Sequence, residues 1–159
     1  MIRPITPDDA AGVVDLVVAA ELVPAEEAGI VTQMMTDYFA APAADGHACL
    51  VDEEDGRLLG VAYYEPLAAT DRAWELTMIG IDRDRHRQSR GTRLLRAVED
   101  DLRARGQRLL LVETSASPAF DRARAFYLAG GYDEEARVRD YYENGDDMVM
   151  FRKALVDPR

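Results

Sequence analysis

The spacing of the apolar residues changes along the chain and divides it into predicted helices and strands. Helical spacing covers four segments, residues 7–20, 25–39, 92–105 and 118–129. Alternating or continuous apolar runs predict strands at residues 2–5, 47–52, 57–65, 74–81, 109–112, 134–142 and 147–153. The resulting order is a strand, two helices, three strands, a helix, a strand, a helix and two strands. It predicts a mixed α/β fold in which helices cover the faces of one sheet.

Turn-forming residues support several of these boundaries. Thr6 suits the N-cap of the first helix, because its hydroxyl can accept a hydrogen bond from a free backbone N–H. The polar residues 53–56 end in a glycine and predict a hairpin between the second and third strands. Residues 144–145 are Asn-Gly and predict another hairpin between the last two strands.

Two strands carry more specific expectations. Gly80, near the end of residues 74–81, predicts a β-bulge, since a strand glycine often marks one. The continuous apolar run at residues 109–112 predicts a central strand that is covered on both faces.

Composition and charge exclude several classes of protein. The 159 residues are 48% hydrophobic and 31% charged, so we expect one globular domain over residues 1–159. No apolar segment has the length of a membrane span and no apolar signal sequence begins the chain, which predicts a cytoplasmic protein without a membrane partner. Cys49 is the only cysteine and there are two histidines, so we expect neither a disulfide nor a bound metal. The net charge of −11 argues against a nucleic-acid partner.

An arginine-rich loop at residues 83–90 stands out against this acidic background. It precedes a predicted helix, whose free backbone N–H groups and dipole favour an anion such as phosphate. A solvated charged surface is the alternative reading. The sequence Gly-x4-Gly-Lys is absent, and Lys153 is the only lysine, so this is not a P-loop.

The loop and a later helix together resemble the GNAT superfamily of acetyl-CoA-dependent N-acetyltransferases. The family's Arg/Gln-x-x-Gly-x-Gly/Ala motif aligns with residues 86–91, where His86 and Ser89 depart from the pattern and Gly91 keeps it. The family's Ala-x-x-Phe-Tyr-x-x-x-Gly-Phe/Tyr motif is matched by residues 123–132, although Phe120 stands where an Asn is often found. The resemblance covers nearly the whole chain in element order. It implies a GNAT-like fold with a mostly antiparallel sheet of about seven strands and about four helices.

The resemblance also implies the roles of particular residues. Tyr127 would protonate the departing thiolate, and Glu75 would be the general base, with Glu113 as the competing candidate. Strand and loop residues would bind the pantetheine arm and the pyrophosphate of acetyl-CoA through backbone N–H groups and guanidinium charge: Met78, Ile79, Gly80, Ile81, Arg87, Gln88, Ser89, Arg90, Gly91 and Thr92.

The expected reaction moves acetyl from acetyl-CoA to a primary amine of a small molecule or peptide by direct attack, and a homodimer is expected by analogy. The alternative is an inactive module that binds an acyl-CoA as a sensor. That alternative follows from the altered loop motif, and it predicts ligand binding without release of free thiol.

Two conspicuous residues have simpler interpretations. Cys49 is expected to be a small buried residue, and Trp74 is expected to pack at a strand start or to line the amine site.

Overall fold

A computed structural model describes residues 1–40, 46–85 and 88–156. Within these residues the strands are β1 (Ile2–Pro4), β2 (Ala48–Glu54), β3 (Arg57–Pro66), β4 (Ala73–Ile81), β5 (Leu109–Ser115), β6 (Asp133–Glu143) and β7 (Asp146–Ala154). The helices are α1 (Ala10–Ala19), α2 (Ala28–Ala40), α3 (Arg90–Ala104) and α4 (Asp121–Ala129), with short 3₁₀ turns at Pro7–Asp9, Ala25–Glu27, Arg83–Arg85 and Pro118–Phe120. The predicted element order is confirmed.

The strands form one sheet in the order β1-β2-β3-β4-β5-β7-β6. Every neighbouring pair is antiparallel except β4 and β5, which are parallel. A parallel pair needs a crossover, and α3 provides it between the two central strands. The mostly antiparallel mixed sheet expected from the resemblance is confirmed.

The helices bury a different set of side chains on each face of the sheet. On one face, α3 and α4 pack through residues such as Leu94, Val98 and Tyr127 against β3, β4, β5 and β7. On the other face, α1 and α2 pack through residues such as Val13 and Met35 against β2 and β3. No helix in residues 1–40, 46–85 or 88–156 is long and apolar enough to cross a membrane.

Local sequence explains how the first elements begin and turn. The Asp9 carboxylate accepts a hydrogen bond from the Thr6 backbone N–H at 2.8 Å, as in a capping box. Hydrogen bonds from the Arg3 guanidinium lower the pKa of Asp9 to about 2, so the carboxylate stays charged at neutral pH. Between β2 and β3, Asp55 and Gly56 both have positive φ, which is the conformation that an Asp-Gly hairpin turn requires.

The bulge predicted at Gly80 lies elsewhere. Gly80 pairs regularly with Val61, and the register shift falls at Thr77, between the pairs Tyr63–Met78 and Tyr64–Leu76. A Cβ at Gly80 would overlap Cδ1 of Leu22, so a larger residue there would make this exposed side chain shift. The glycine therefore marks a close approach by the connection between α1 and α2.

The expectation that β5 is covered on both faces is also wrong. Leu110 and Val112 are buried on the α3/α4 face, whereas Leu109, Leu111 and Glu113 are only partly buried. The reason is that α1 and α2 pack on β1 to β4 and stop short of β5. One face of the sheet is therefore open beside the central strands.

Candidate active site

The two parallel strands at the centre of the sheet separate along their length. β4 and β5 pair only at Ala73–Leu109, Trp74–Leu110 and Glu75–Leu111. Beyond Glu75, β4 continues to Ile81 and remains paired with β3, while β5 continues to Ser115 beside β7. The divergence leaves a cleft between β4 and β5. Four residues predicted from the sequence lie on its β4 side: Met78, Ile79, Gly80 and Ile81.

Helix α3 begins close to the carboxyl end of β4 and to α4. A Cβ placed on Gly91 would lie 3.4 Å from the Phe126 ring and 3.7 Å from the Ile81 side chain. The N-terminal backbone N–H groups of a helix lack partners within the helix and carry the positive end of its dipole. The fold therefore brings an anion-binding helix end, the end of β4 and the Phe-Tyr segment of α4 together.

Residue 89 has the backbone conformation that a glycine would favour. Ser89 precedes α3 with φ of +58°, in the left-handed region. The resemblance places a family glycine at this position, and the structure shows why glycine fits there. Gln88 and Ser89 are both exposed, so the loop before α3 is accessible to a ligand. His86 and Arg87 lie outside the described residues.

The predicted contact between the Arg90 guanidinium and phosphate is not what the structure shows. The Arg90 side chain is buried, with Nη1 2.8 Å from Oδ2 of Asp52 and Nη2 2.8 Å from Oε1 of Glu54. Both carboxylates belong to β2, so the side chain fixes the start of α3 to the sheet. Only the backbone N–H of Arg90 remains for an anion.

Thr92 lies two residues further along α3 and is partly buried. It lines a groove of about 340 Å³ between α3 and α4, together with Arg96, Phe126 and Lys153. The groove thus continues from the helix start, and its wall carries three cationic side chains and two carboxylates.

Tyr127 is buried among aromatic rings on the α3/α4 side of the sheet. Its ring contacts those of Phe126, Tyr132 and Phe151 at centroid distances of 5.3, 5.9 and 5.4 Å. Burial raises the pKa of Tyr127, so the phenol is protonated at neutral pH. Among the described residues its hydroxyl has no hydrogen-bond partner, which leaves the proton free to be donated.

Glu75 lies where β4 and β5 begin to diverge. Its neighbours Trp74 and Leu76 belong to the α3/α4 core, so Glu75 points to the open face of the sheet. Burial raises the pKa of Glu75, and the nearby charges of Glu113 and Glu65 raise it further. A carboxylate with a raised pKa is a better general base at neutral pH.

Glu113 is the competing base candidate and lies on the same open face. Its strand neighbour Leu111 is paired with Glu75, and Glu113 is two residues further along β5. The hydroxyl of Tyr141 on β6 donates a hydrogen bond to Glu113 Oε2 at 3.3 Å. The structure therefore places both candidate bases on the same face.

A groove of about 640 Å³ lies between α2 and strands β3 and β4 on this face. Its walls include Asp37, His47, Tyr63, Glu65 and Thr77. These residues were not among the sequence-based site candidates. The feature that points to Glu65 as a site residue is the pairing of β3 with β4, because Glu65 is the cross-strand partner of Glu75.

Two other conspicuous residues have structural surroundings. Cys49 is buried, and burial raises its pKa to about 12, which confirms that it is a small core residue. Trp74 is 5% exposed and donates a hydrogen bond from Nε1 to Oε1 of Gln107 at 2.9 Å. Trp74 therefore packs in the core rather than lining the groove on the open face.

Comparisons with known proteins agree with this geometry. A crystal structure from Desulfovibrio desulfuricans, described as an acetyltransferase of the GNAT family, is 30% identical and covers 98% of this chain and 99% of its own, with a TM-score of 0.93. The ribosomal-protein-S18-alanine N-acetyltransferase of Escherichia coli shares the fold at 22% identity, with a TM-score of 0.78, over 100% of this chain and 96% of its own. An aminoglycoside 6'-N-acetyltransferase complexed with coenzyme A shares it at 14% identity, with a TM-score of 0.83, over 100% and 99%.

A curated relative and a family profile extend the comparison to sequence. The amino-acid acetyltransferase of Azotobacter vinelandii is 29% identical over 154 residues, which are 97% of this chain. The chain spans about a third of that relative, 34% of its length. The profile of the acetyltransferase (GNAT) family matches residues 17–132. Because that match contains the diverging strands, the start of α3 and the Phe-Tyr segment of α4, the chain belongs to the acetyltransferase (GNAT) family.

Proposed function

We propose that this protein transfers an acetyl group from acetyl-CoA to a primary amine by direct attack, with the reacting atoms in the cleft between β4 and β5. The observation that carries the proposal is the end of the β4–β5 pairing at Glu75, with a candidate proton-transfer group on each face of the sheet. Glu75 lies on the open face where the strands diverge, and Tyr127 lies on the α3/α4 face.

The described residues fit an elongated donor that ends in phosphates. The edge of β4 from Leu76 to Gly80 faces the cleft without β5 beside it, so its backbone can pair with the amide groups of a pantetheine arm. Beyond it, the backbone N–H groups at Gln88–Thr92 suit the pyrophosphate. Arg87, which lies outside the described residues, remains a predicted phosphate contact. When bound, acetyl-CoA supplies the acetyl group as a thioester.

The two proton-transfer groups have complementary tasks. An alkyl ammonium must lose a proton before its nitrogen can form the new N–C bond, and Glu75 accepts that proton directly or through water. As the C–S bond breaks, Tyr127 gives its phenolic proton to the thiolate sulfur. The raised pKa values suit these tasks, since Glu75 is a stronger base than an exposed carboxylate and Tyr127 keeps its proton at neutral pH.

We propose that the acceptor carries positive charge and enters through the 640 Å³ groove on the open face. Asp37, Glu65 and His47 line this groove, and no arginine or lysine is among the described residues of its wall. The net charge of −11 supports a cationic acceptor and opposes nucleic acid as a partner. A cytoplasmic location, a homodimer and a single domain over residues 1–159 are further proposals, and light scattering in solution tests the dimer.

The first experiment measures thermal unfolding with acetyl-CoA, CoA or ATP. A ligand that binds the native state raises the unfolding temperature, so acetyl-CoA and CoA should raise it and ATP should not. Release of free thiol from acetyl-CoA is then measured over a panel of primary amines. Binding without amine-dependent thiol release would instead identify an inactive acyl-CoA-binding module.

Matched variants then test the two roles. Tyr127→Phe should lower kcat by roughly 10²-fold or more, as expected for loss of a general acid, while acetyl-CoA binding is kept. Tyr132→Phe removes a hydroxyl from the same aromatic cluster, where it is bonded to Glu99, and should keep kcat within a few-fold. Equal loss in the two variants would refute the role of Tyr127.

For the base, Glu75→Gln should remove the acid limb of the pH profile of kcat/KM, and Glu113→Gln should keep it. The opposite result would assign the base to Glu113.

A further inference from the structure

Two carboxylates face each other on the central antiparallel strands. Glu65 of β3 and Glu75 of β4 are direct cross-strand partners, so their side chains leave the same face of the sheet. Like charges in this arrangement repel each other, and the repulsion lowers the stability of the folded protein. The proposed function uses Glu75 as the base, whereas Glu65 has been placed only on the wall of the acceptor groove.

Donors on both sides hold the Glu65 carboxylate in one orientation. The Thr77 hydroxyl donates a hydrogen bond to Oε1 at 3.1 Å. His47 Nε2 lies 3.2 Å from Oε2, and His47 Nδ1 lies 2.5 Å from the Tyr63 hydroxyl. The Tyr63 side chain is buried, and its ring packs edge-on against the imidazole. A chain of polar contacts therefore runs from Tyr63 through His47 and Glu65 to Thr77.

The bulge in β4 makes this chain possible. Thr77 is the inserted residue, and the strand pairs on either side of it are Tyr63–Met78 and Tyr64–Leu76. The insertion leaves Met78 packed toward α1 and α2, while Thr77 is exposed and reaches Glu65. Without the extra residue, the alternation of side chains would turn Met78 to the other face.

The groups that face Glu75 come from three strands. Glu65 lies on β3, Glu113 lies on β5, and Tyr141 and Tyr142 of β6 lie near Glu113. Burial raises the pKa of Glu75 most, followed by the charge of Glu113 and then that of Glu65. Among these carboxylates, Glu65 has a contact to each of its two oxygens within the described residues, from Thr77 and from His47.

We propose that Glu65 is a positioning residue that acts on the reaction through Glu75: its carboxylate, fixed by Thr77 and His47, opposes negative charge on Glu75 from the neighbouring strand. This inference rests on the proposed role of Glu75 as the base. Opposition from Glu65 favours the protonated form of Glu75 and makes its carboxylate a stronger base toward the acceptor ammonium. Glu65 thus makes Glu75 a stronger base, and Thr77 and His47 hold the Glu65 carboxylate in place.

The test follows the titration of Glu75 in the free protein by the ¹³C shift of its side-chain carboxyl, assigned by loss of the signal in Glu75→Gln. In Glu65→Gln the like charge is gone, so the Glu75 midpoint should move to lower pH. Thr77→Val keeps the charge but frees one oxygen of Glu65, and it should move the midpoint in the same direction by less. Glu134→Gln removes an exposed carboxylate on β6 and should leave the midpoint unchanged.

Glu65→Gln should raise activity at low pH and lower it at higher pH, whereas most mutations in an active site lower activity at every pH. On the acid limb of kcat/KM, Glu65→Gln should be more active than the parent protein, and on the plateau it should be less active, because Glu75 has become a weaker base. A purely structural role of Glu65 would lower activity at every pH without moving the limb. Glu65→Asp restores the charge and should recover part of the parent profile.

The outcomes separate this inference from the proposed function. If Glu75→Gln loses the acid limb but Glu65→Gln leaves both the midpoint and the limb in place, the positioning role is overturned and Glu75 remains the base. If Glu75→Gln keeps the limb and full activity, the proposed base itself is refuted, whatever the titration of Glu75 shows.

Discussion

Replacing Arg90 by methionine tests how the start of α3 is held. Nη1 of Arg90 lies 2.8 Å from Asp52 Oδ2, and the side chains of the two residues are 8% and 4% exposed. The substitution keeps an apolar stem of similar length but removes the charge. Within the described residues, the charged partner left to Asp52 would be the N-terminal ammonium of Met1, 3.3 Å away, on a residue whose side chain is 78% exposed.

The expected loss of stability follows from this environment. Breaking a buried ion pair by removing one partner costs about 3–5 kcal/mol. The N-terminus compensates part of the charge on Asp52, and Glu54, the second carboxylate, is partly solvated. We therefore expect a loss of about 3 kcal/mol in the free energy of unfolding. At roughly 2–4 °C per kcal/mol for a chain of this size, the midpoint of thermal unfolding falls by about 6–12 °C.

Urea unfolding followed by circular dichroism measures the effect, with Arg93→Met as the matched control. Arg93 lies on the same helix and is exposed, and no ion pair of its side chain is found in the described part of the chain. Arg93→Met should change the free energy of unfolding by less than about 0.5 kcal/mol. Adding Asp52→Asn to Arg90→Met should recover part of the loss, because the buried charge is then removed.

The same variant decides between the two roles of Arg90. A direct guanidinium contact with phosphate would weaken CoA binding by about 1.5–3 kcal/mol and leave the free protein nearly as stable as the parent. The structure predicts the reverse, a large loss of stability and a smaller loss of affinity by calorimetry. Stability equal to that of Arg93→Met would refute the reasoning.

Three further predictions concern other parts of the fold. Ser89→Gly should raise the free energy of unfolding by about 0.5–1 kcal/mol, since relief of the left-handed backbone outweighs the added freedom of the unfolded chain; a loss of stability in urea unfolding would contradict this. Lys153→Met should cost about 2–4 kcal/mol because it leaves the buried Glu99 carboxylate, 2.6 Å from Nζ, without its ammonium; adding Glu99→Gln should restore part of the stability, and additive losses would show that the pair is not coupled. Cys49 in the native protein should react with a disulfide reagent at pH 8 only as fast as the protein unfolds, because burial raises its pKa to about 12; rapid stoichiometric reaction would refute its burial.

Much of the fold could be predicted from the sequence because its signals are local. The apolar spacing of α3 and the glycines at 106 and 130–131 define elements from residues within a few positions of one another. The hairpin between β6 and β7 forms at Asn144 and Gly145 as predicted. The match to the family profile likewise confirms the predicted membership of the acetyltransferase (GNAT) family.

The departures concern contacts between residues that are distant in sequence. Arg90 is 38 residues from Asp52, and only the packing of α3 on β2 pairs them. Gly80 predicts a bulge, but the bulge occurs at Thr77, and Gly80 lies against Leu22 from the connection between α1 and α2. A single sequence carries no periodic signal for such contacts. From the sequence alone, an arginine before a helix therefore indicates a phosphate contact, and a glycine in a strand indicates a bulge.

For the site, the sequence determined the residue types and their order along the chain: an arginine-rich loop before a helix, a Phe-Tyr pair before two glycines, and carboxylates on two central strands. These follow from short-range chemistry, namely helix ends, turns and side-chain pKa values. The tertiary structure alone decided which groups face one another. Sheet register places Glu65 opposite Glu75, and the parallel pairing of β4 and β5 ends where the cleft opens. Packing of α3 on β2 buries the Arg90 guanidinium beside Asp52. Register and burial depend on the whole sheet rather than on neighbouring residues, so the sequence alone does not reveal them.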